Sequence, residues 1–238
     1  MHTMTMDVEV LSFSGLGQRQ FTLSLEKGTI RRMNVWHRLA EQFCQPTGFA
    51  GRFVGFLFRM NREGVNWTIS LLEIQPTDHV LEIGFGSGQG IASAAKLASQ
   101  GWVAGVDFSP TMLRQATRRN AGAIGACRVE LKVGDANTLP YSDNRFHKVF
   151  ATNVVYFWKD PVATLREIRR VTKPGGRLAL YIVSKADMAK FKVTQTGVYR
   201  LYTGDELAIL LTQAGFRQPR VLTHAERHRT GICAIAEK

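Results

Sequence analysis

A carboxylate and a series of glycines stand together in the segment VLEIGFGSGQG, residues 80–90. Glycine-rich loops that follow a strand commonly bind phosphate, because their bare backbone N–H groups can approach an anion closely. This loop, however, carries Glu82 just before its first glycine and contains no lysine or arginine. Its chemistry favours a ligand that brings a positive charge to the loop rather than a phosphate.

The spacing of these glycines distinguishes three classes of nucleotide ligand. A P-loop ends in Gly-Lys-Ser/Thr, and residues 87–90 contain no lysine. The dinucleotide pattern GxGxxG would place Gln89 where its third glycine belongs. The remaining pattern is an acid, one residue and then GxGxG, which is formed by Glu82, Gly84, Gly86 and Gly88. S-adenosylmethionine fits this pattern, since it joins adenosine to an α-ammonium group and a sulfonium.

Four further motifs follow the glycine loop in order along the chain. They are GVDFSPTML, VGDANTLPYSDNRF, NVVYFW and IRRVTKPGGRLAL. Together with the loop, they resemble the successive motifs of class I S-adenosylmethionine-dependent methyltransferases, and are most similar to the small single-domain type of ubiquinone and menaquinone biosynthesis. The resemblance covers about residues 76–238. It implies a methyltransferase whose cofactor is S-adenosylmethionine.

Two acidic residues are expected to bind the adenosine part of this cofactor. Asp107 stands at the end of the second predicted strand, where a carboxylate can accept both ribose hydroxyl protons. Capping the next helix is the alternative role, but Ser109 already occupies the N-cap position. Phe108 is interpreted either as an adenine contact or as an ordinary core aromatic. The resemblance implies that the side chain of Asp135 and the backbone N–H beside it, at Ala136, bind the adenine edge.

Two residues of the fourth predicted strand receive different interpretations. Asn153 closes that strand beside the glycine loop and is a candidate ligand for the methionine end of the cofactor, or else satisfies local backbone groups. His147 departs from the family pattern, which usually has aspartate at this position. It lies at the amino end of its strand, whereas ligands bind beyond the carboxyl ends, and so we interpret it as structural.

An acceptor pocket is expected where the fourth and fifth predicted strands end. Aromatic walls suit a flat, apolar or aromatic acceptor and also attract a sulfonium. The candidate acceptor-binding residues are Trp36, Tyr156, Trp158 and Tyr199. For each of them, a place in the hydrophobic core is the alternative.

No catalytic residue is predicted. Methyl transfer is an in-line displacement at carbon, and the sulfonium already supplies a good leaving group, so positioning can do most of the work. A general base is needed only when the nucleophile must lose a proton. His224 and His228, which flank the loop of the last predicted hairpin, are the candidates for such a base.

Apolar runs alternate with amphipathic stretches from residue 79 onward. Strands are predicted at about 79–83, 102–106, 128–133, 147–152, 177–183, 219–225 and 230–236. Helices are predicted at about 88–99, 110–121, 161–172 and 204–214. This alternation predicts a doubly wound, Rossmann-like α/β sheet that is mostly parallel. Since about four residues separate the last two strands, too few for a crossover helix, the last strand is expected to be antiparallel.

The amino-terminal part of the chain has a different pattern. Residues 33–75 carry aromatic and aliphatic residues at helical intervals, and they are predicted to form a helical lid. Residues 1–32 are interpreted as an extension of uncertain structure. Residues 76–238 are predicted to be the cofactor-binding methyltransferase domain.

Composition narrows the class of protein. The chain has 238 residues, of which 45% are hydrophobic, enough for an ordinary globular core. No signal peptide is predicted, because the first 30 residues lack an apolar run preceded by basic residues. No membrane span is predicted either, because no apolar run approaches about 18 residues. Three cysteines lie far apart in the sequence, at Cys44, Cys127 and Cys233. Their spacing predicts no metal site and indicates free thiols in a reducing cytosol, so a cytoplasmic location is expected.

The formal net charge of +12 raises an alternative function. Four basic residues recur at helical spacing, namely Arg166, Arg169, Arg170 and Lys173. Such a stripe suits RNA or another anionic partner, although a solvated helix face is the plainer interpretation. An RNA methyltransferase is therefore one alternative, and a cofactor-binding regulatory subunit without catalysis is another.

Two sequence features favour a small-molecule acceptor over nucleic acid. Amino-group nucleic-acid methylases usually carry Asn/Asp-Pro-Pro-Tyr/Phe after the fourth strand, and this chain has no proline in residues 153–156. It also has no Pro-Cys pair that could attack C6 of a pyrimidine. We therefore expect methyl transfer to a small, aromatic or apolar metabolite.

Overall fold

The computed structural model describes residues 62–227 and 229–238. Within them the strands are β1 (His79–Ile83), β2 (Trp102–Asp107), β3 (Val129–Val133), β4 (Phe146–Thr152), β5 (Thr172–Val183), β6 (Arg217–Glu226) and β7 (Arg229–Glu237). The α-helices are α1 (Arg62–Leu71), α2 (Gln89–Leu97), α3 (Pro110–Arg119), α4 (Ala121–Gly125), α5 (Pro161–Val171), α6 (Lys185–Met188) and α7 (Gly204–Gln213). Two 3-10 helices, Val155–Phe157 and Lys192–Gln195, lie in connections. None of the helices in this part of the chain has the length and apolar character that crossing a membrane requires.

Helix starts follow the capping signals of the sequence. The side chain of Ser109 accepts a hydrogen bond from Met112 N–H, and proline occupies the first position of α3. At α7, Thr203 and Glu206 form a reciprocal capping box. These local interactions fix where the two helices begin, as the sequence predicts.

The seven strands form one sheet in the order β3-β2-β1-β4-β5-β7-β6. The pairs β1–β2, β2–β3, β1–β4 and β4–β5 are parallel. Only β7 runs against its neighbours β5 and β6 within the described sheet. The predicted doubly wound sheet with an antiparallel last strand is therefore confirmed. The strand order reverses between β1 and β4, which is where ligands bind in sheets of this type.

Helices cover both faces of the sheet. On one face, α5 and α7 lie over the sheet, and Leu165 of α5 belongs to the same buried cluster as Val149. On the other face, Ile69 of α1 and Ile91 of α2 pack with Phe150. Val149 and Phe150 are neighbours in β4, so their alternation gives each face of the strand its own core.

Helix α1 contains the described end of the predicted lid and packs directly on the sheet. Gly64 lies against the ring of Tyr181, so close that a Cβ atom there would be 2.4 Å from the ring Cζ. Thr68 is fully buried and donates its hydroxyl proton to the Gly64 carbonyl over 2.7 Å. Beyond the helix, the Arg177 side chain of β5 donates to Glu73 over 2.9 Å. Residues 62–75 thus cover part of the sheet, while the rest of the predicted lid lies outside the described residues.

Candidate functional site

A cleft of about 620 Å³ opens at the carboxyl ends of β1 to β4, where the strand order reverses. The predicted site residues in its wall are Glu82, Gly84, Gly86, Asp107, Phe108, Asp135, Ala136, Asn153 and Trp158. Gly88, Tyr156 and Tyr199 are not part of the wall, and Trp36 lies outside the described residues. The sheet therefore brings most of the predicted site residues together in one cleft.

The glycine loop is a sharp turn that helix α3 holds from behind. Gly88 has φ +77°, a left-handed conformation that glycine adopts without steric cost. A Cβ atom on Gly88 would lie 2.7 Å from the Cβ atom of Ala116 in α3, so the glycine also permits close packing. The Asn120 amide donates to the Gly88 carbonyl over 3.0 Å, and the Arg119 Nε–H donates to the Ser87 carbonyl over 2.8 Å. Gly88 therefore shapes the loop from outside the cleft.

Glu82 is a buried carboxylate in the cleft wall, with only 2% of its surface exposed. Burial raises its pKa well above its ordinary value; a hydrogen bond from the Ile91 backbone opposes this, and the nearby charge of Asp107 adds to it. Gly90 makes room for the carboxylate, since a Cβ atom there would lie 2.3 Å from Glu82 Oε1. The other oxygen, Oε2, is buried without a hydrogen-bond partner among the described residues. A buried acceptor of this kind fits the ammonium or sulfonium of a cationic ligand.

Asp107 connects the glycine loop to helix α3. Its Oδ2 accepts from Gly86 N–H over 2.8 Å, and its Oδ1 accepts from Ser109 N–H over 2.9 Å. Burial raises the pKa of this carboxyl, while the two backbone hydrogen bonds lower it. Each carboxylate oxygen retains a further lone pair, so the residue can hold the loop and still accept from ribose hydroxyls.

Phe108, beside Asp107, keeps 45% of its side chain exposed in the cleft wall. This exposure contradicts the alternative interpretation that Phe108 is an ordinary core aromatic. An exposed ring at this edge offers a flat apolar surface to a ligand.

Asp135 forms a turn after β3, which its side chain stabilises. Its Oδ1 accepts from the backbone N–H of Asn137 over 2.9 Å and from its side-chain amide over 2.8 Å. The Asn137 oxygen in turn accepts from the Thr164 hydroxyl over 2.6 Å, which connects the turn to α5. Asn137 lines the cleft, and sequence analysis missed it because its role depends on this contact with a distant helix.

Asn153 lies in the cleft wall with φ +57° and satisfies local backbone groups. Its Oδ1 accepts from Val183 N–H and from the Tyr156 hydroxyl, each over 3.2 Å. Tyr156 itself is 3% exposed, and its hydroxyl oxygen accepts from Val183 N–H over 2.8 Å. Tyr156 lies behind the cleft because its hydroxyl binds the end of β5. It therefore supports Asn153 from the core and does not form part of the wall.

The cleft wall also contains Phe157, Trp158, Val65 and Val198. Tyr199 packs behind this wall, with its ring centre 4.9 Å from that of Phe157. Sequence analysis expected the aromatic residues 156–158 near this pocket and selected Trp158 and Tyr199 as acceptor-binding candidates, but not Phe157. Which of these neighbouring aromatic side chains line the cleft depends on their burial, and the sequence pattern does not show that burial.

The histidines of the described residues, His79, His147 and His224, are not part of the cleft wall. His147, at the amino end of β4, accepts from His79 N–H at its Nδ1 over 2.8 Å, and its Nε2 lies 2.8 Å from Lys173 Nζ. These contacts agree with the structural role expected for it. His224 stacks on Trp67 with ring centres 5.0 Å apart and is not a wall residue, and His228 lies outside the described residues.

The basic stripe of α5 is largely bound to the protein itself. Arg170 forms ion pairs with Glu167 and Asp143, both over 2.7 Å. Arg169 Nε–H donates to the Gly215 carbonyl over 2.9 Å, which connects α5 to the end of α7. Lys173 lies in β5 and not in α5, so the predicted helical stripe is limited to three arginines in the structure. The contacts of Arg169 and Arg170 favour a helix face bound to the protein over a surface for RNA.

The part of the chain that forms the cleft is similar in sequence to known methyltransferases. A family model described as a methyltransferase domain matches residues 81–180. The uncharacterized methyltransferase YdaC of Bacillus subtilis (strain 168) is 27% identical over 185 residues, which are 77% of this chain and 97% of that protein. The putative methyltransferase YrhH of the same organism is 31% identical over 125 residues, 52% of this chain and 68% of that protein.

A demethylmenaquinone methyltransferase of Symbiobacterium thermophilum is 36% identical over 118 residues, 49% of this chain and 47% of that protein. The chain thus spans about half the length of this relative. Among solved structures, a SAM dependent methyltransferase from Aquifex aeolicus matches with a TM-score of 0.62 and 23% identity, over 74% of this chain and 92% of that one. At this level of identity, the match establishes the fold.

Proposed function

Because the chain belongs to the class I S-adenosylmethionine-dependent methyltransferases, we propose that it methylates a small, aromatic or apolar metabolite. Its cofactor, S-adenosylmethionine, supplies a methyl group already activated by a sulfonium. Alignment of donor and acceptor is worth up to about 7–11 kcal/mol in such reactions, so holding two ligands in line is the protein's main contribution.

One observation carries the proposal: the cleft wall combines two kinds of chemistry. Glu82, Asp107 and Asp135 supply carboxylates where the strands β1 to β3 finish. Phe157 and Trp158, which follow β4, supply aromatic surface to the same wall. The first set suits a cationic nucleoside, and the second suits an acceptor with a flat, apolar body.

The predicted cofactor-binding side chains in the wall have the following proposed roles. Glu82 accepts from the α-ammonium group, and Asp107 accepts from the ribose hydroxyls. Asp135 and the backbone N–H of Ala136 bind the adenine edge, and Phe108 packs on the adenine ring. Asn153, fixed by β5 and Tyr156, lies beside the methionine end.

The apolar part of the wall is expected to exclude water from the reacting atoms. Phe157, Trp158, Val65 and Val198 present mostly apolar surface, which favours burial of an apolar acceptor. No histidine or cysteine occurs in the described part of this wall. The relatives named demethylmenaquinone methyltransferases support a small-molecule acceptor.

The experiment that tests this function follows a labelled methyl group. Purified protein is incubated with S-adenosylmethionine labelled in the methyl group, together with either a small-molecule extract or total RNA. We expect label in the small-molecule fraction and none in RNA. Transfer into RNA would contradict the proposal in favour of nucleic-acid methylation, and transfer into neither fraction would favour a cofactor-binding subunit.

A further inference from the structure

The carboxylate of Asp135 in the cleft wall has one oxygen bound within the protein and one that is not. Its Oδ1 accepts two hydrogen bonds from Asn137, from the backbone N–H over 2.9 Å and from the side-chain amide over 2.8 Å. Its Oδ2 has no hydrogen-bond or ion-pair partner within residues 62–227 and 229–238. Oδ2 is therefore the oxygen that remains for a ligand.

The chemistry of the side chains fixes the direction of each hydrogen bond behind Asp135. An ionised carboxylate can only accept, so the Asn137 amide must turn its NH2 group toward Asp135 and its oxygen toward Thr164. An amide oxygen also only accepts, so the Thr164 hydroxyl must donate to it, which it does over 2.6 Å. Thr164, Asn137 and Asp135 therefore form one chain of hydrogen bonds with a single direction.

Thr164 is a firm anchor for this chain of hydrogen bonds. It lies in the first half of α5 and has none of its surface exposed. Its hydroxyl also lies 2.9 Å from the carbonyl of Asp160 one turn earlier, although the shorter contact is the one to Asn137. Thr164 is not part of the cleft wall, whereas Asn137 is. The chain thus connects a buried position of a helix to a carboxylate in the wall.

A fixed carboxylate beside a backbone N–H distinguishes purines by their 6-position. Adenine offers N–H donors on its 6-amino group and an acceptor at N1, which match an oxygen of Asp135 and the N–H of Ala136. Hypoxanthine has a carbonyl oxygen at the 6-position and an N–H at N1, so both contacts become unfavourable. A site that is built to bind an N–H group rejects the analogue that lacks it, because its own polar groups are then left unpaired. A carboxylate that is free to rotate would relieve this mismatch, and a fixed one cannot.

We propose that Asn137 and Thr164 are positioning residues that set the selectivity of the cleft for a 6-amino purine over a 6-oxo purine. Thr164 orients the Asn137 amide, and this amide holds Oδ1 of Asp135, so that Oδ2 stays available to the 6-amino group. Hydrogen bonds in such a chain polarise one another, so loss of the Thr164 hydroxyl weakens the contact at the far end. The inference rests on the proposed function through the binding of adenine by Asp135 and Ala136, and it does not depend on the acceptor.

The test uses calorimetric titration of the full chain with S-adenosylhomocysteine and S-inosylhomocysteine, which differ only in having a 6-amino or a 6-oxo purine. The measured quantity is the ratio of the two dissociation constants, which a uniform loss of binding or of stability leaves unchanged. The wild type should bind S-adenosylhomocysteine at least about tenfold more tightly, as for a hydrogen bond to a charged group. In Asn137→Ala and in Thr164→Val, this preference should fall about 3- to 10-fold.

Two further variants separate positioning from packing. Thr164→Ser keeps the hydroxyl and should retain the wild-type preference within about twofold. Thr172→Val is the matched control, because Thr172 is also fully buried and donates to a carbonyl one turn earlier, that of Ile168 over 2.7 Å, but is not a wall residue. It should leave the preference unchanged. Since Asn137 is exposed, Asn137→Ala tests the inference even where loss of the buried hydroxyl disturbs folding.

Three results would overturn the inference. They are an unchanged preference in both Asn137→Ala and Thr164→Val, an equal fall in Thr172→Val, and equal binding of the two probes by the wild type. In each case, binding of S-adenosylhomocysteine by the wild type would leave the proposed function standing. Failure of the wild type to bind either probe would instead overturn the cofactor site, and the proposed function with it.

Discussion

The buried carboxylate of Glu82 lowers the stability of the ligand-free protein and favours the complex with a cationic ligand. One oxygen of this buried carboxylate has no hydrogen-bond partner among the described residues, so the hydrogen bond from Ile91 offsets only part of the cost of desolvation. A cationic ligand supplies that partner. The cost of the residue in the free state is therefore a measure of what the ligand gains from it.

Replacement of the Glu82 carboxyl should make the free protein more stable and its binding of the cofactor weaker. Folding raises the pKa of Glu82 above its ordinary value of 4.5, so the folded state favours the protonated carboxyl. The stability that this preference contributes is complete below pH 4.5 and is lost as the pH rises through the pKa of the folded state. Near neutral pH, Glu82→Gln should therefore stabilise the free protein by about 0.5–2 kcal/mol, measured by urea unfolding. The same variant should bind S-adenosylmethionine at least about tenfold more weakly.

The pH dependence supplies the control for this variant. The difference in unfolding free energy between Glu82→Gln and wild type should shrink as the pH falls toward 4.5, since the wild-type carboxyl then becomes protonated in both states. A variant that is less stable than wild type at neutral pH, or that binds the cofactor unchanged, would contradict the role of Glu82.

Some residues of the site can be identified from the sequence alone, and others cannot. The glycine spacing and Glu82 are recognisable because local chemistry determines them. Tyr156 and Phe157 are adjacent in the sequence, yet only Phe157 lines the cleft. The difference arises because Tyr156 binds the backbone of Val183, a contact between segments 27 residues apart in the chain.

At the scale of elements, the docking of α1 on the sheet depends on small residues. Glycines at Gly64 in α1 and Gly231 in β7 both approach the ring of Tyr181, where added Cβ atoms would come within 2.4 and 2.7 Å of ring atoms. Tyr181 donates its hydroxyl proton to Glu226 at the end of β6. Three elements therefore meet around one buried tyrosine.

Gly64→Ala should disturb this contact measurably. The new methyl group would overlap the Tyr181 ring, and we expect a loss of about 1–3 kcal/mol in the free energy of unfolding, as for overpacking of a core. Gly125→Ala is the matched control, because nothing lies within 4 Å of a Cβ atom there. Its stability should change by less than about 1 kcal/mol. Equal effects of the two substitutions in urea unfolding would rule out a special role for Gly64.

Most element positions were predictable because capping and periodicity are local properties. The predicted bounds are wrong where contacts with distant segments determine the start or end of an element. Strand β5 starts at Thr172, earlier than the predicted 177, since Thr172 pairs with Phe146 before the register shifts. The short helix α4 was not predicted as a separate element, having only five residues to show a pattern. Periodicity also indicated that α1 has an apolar face, but not that this face lies on the sheet.

At the scale of the whole molecule, the formal charge is +12, but the arginines of the predicted basic stripe bind groups within the protein. Arg166, Arg169 and Arg170 each donate to carbonyl or carboxylate groups of the protein itself. We expect RNA binding to be weak and to disappear by about 0.2 M salt, as for non-specific attraction to phosphates. A filter-binding titration at two salt concentrations measures this. Tight binding that survives 0.2 M salt would favour the RNA alternative.

The central claim is that carboxylates at the strand ends select a cationic adenosyl ligand over an anionic one. The most direct measurement is a calorimetric titration of the protein with S-adenosylmethionine, followed by competition with NAD and with ATP. We expect saturable binding of the methyl donor and no displacement by either competitor, because Glu82 and Asp107 oppose their phosphates. Displacement by NAD or ATP, or the absence of saturable S-adenosylmethionine binding, would contradict the account.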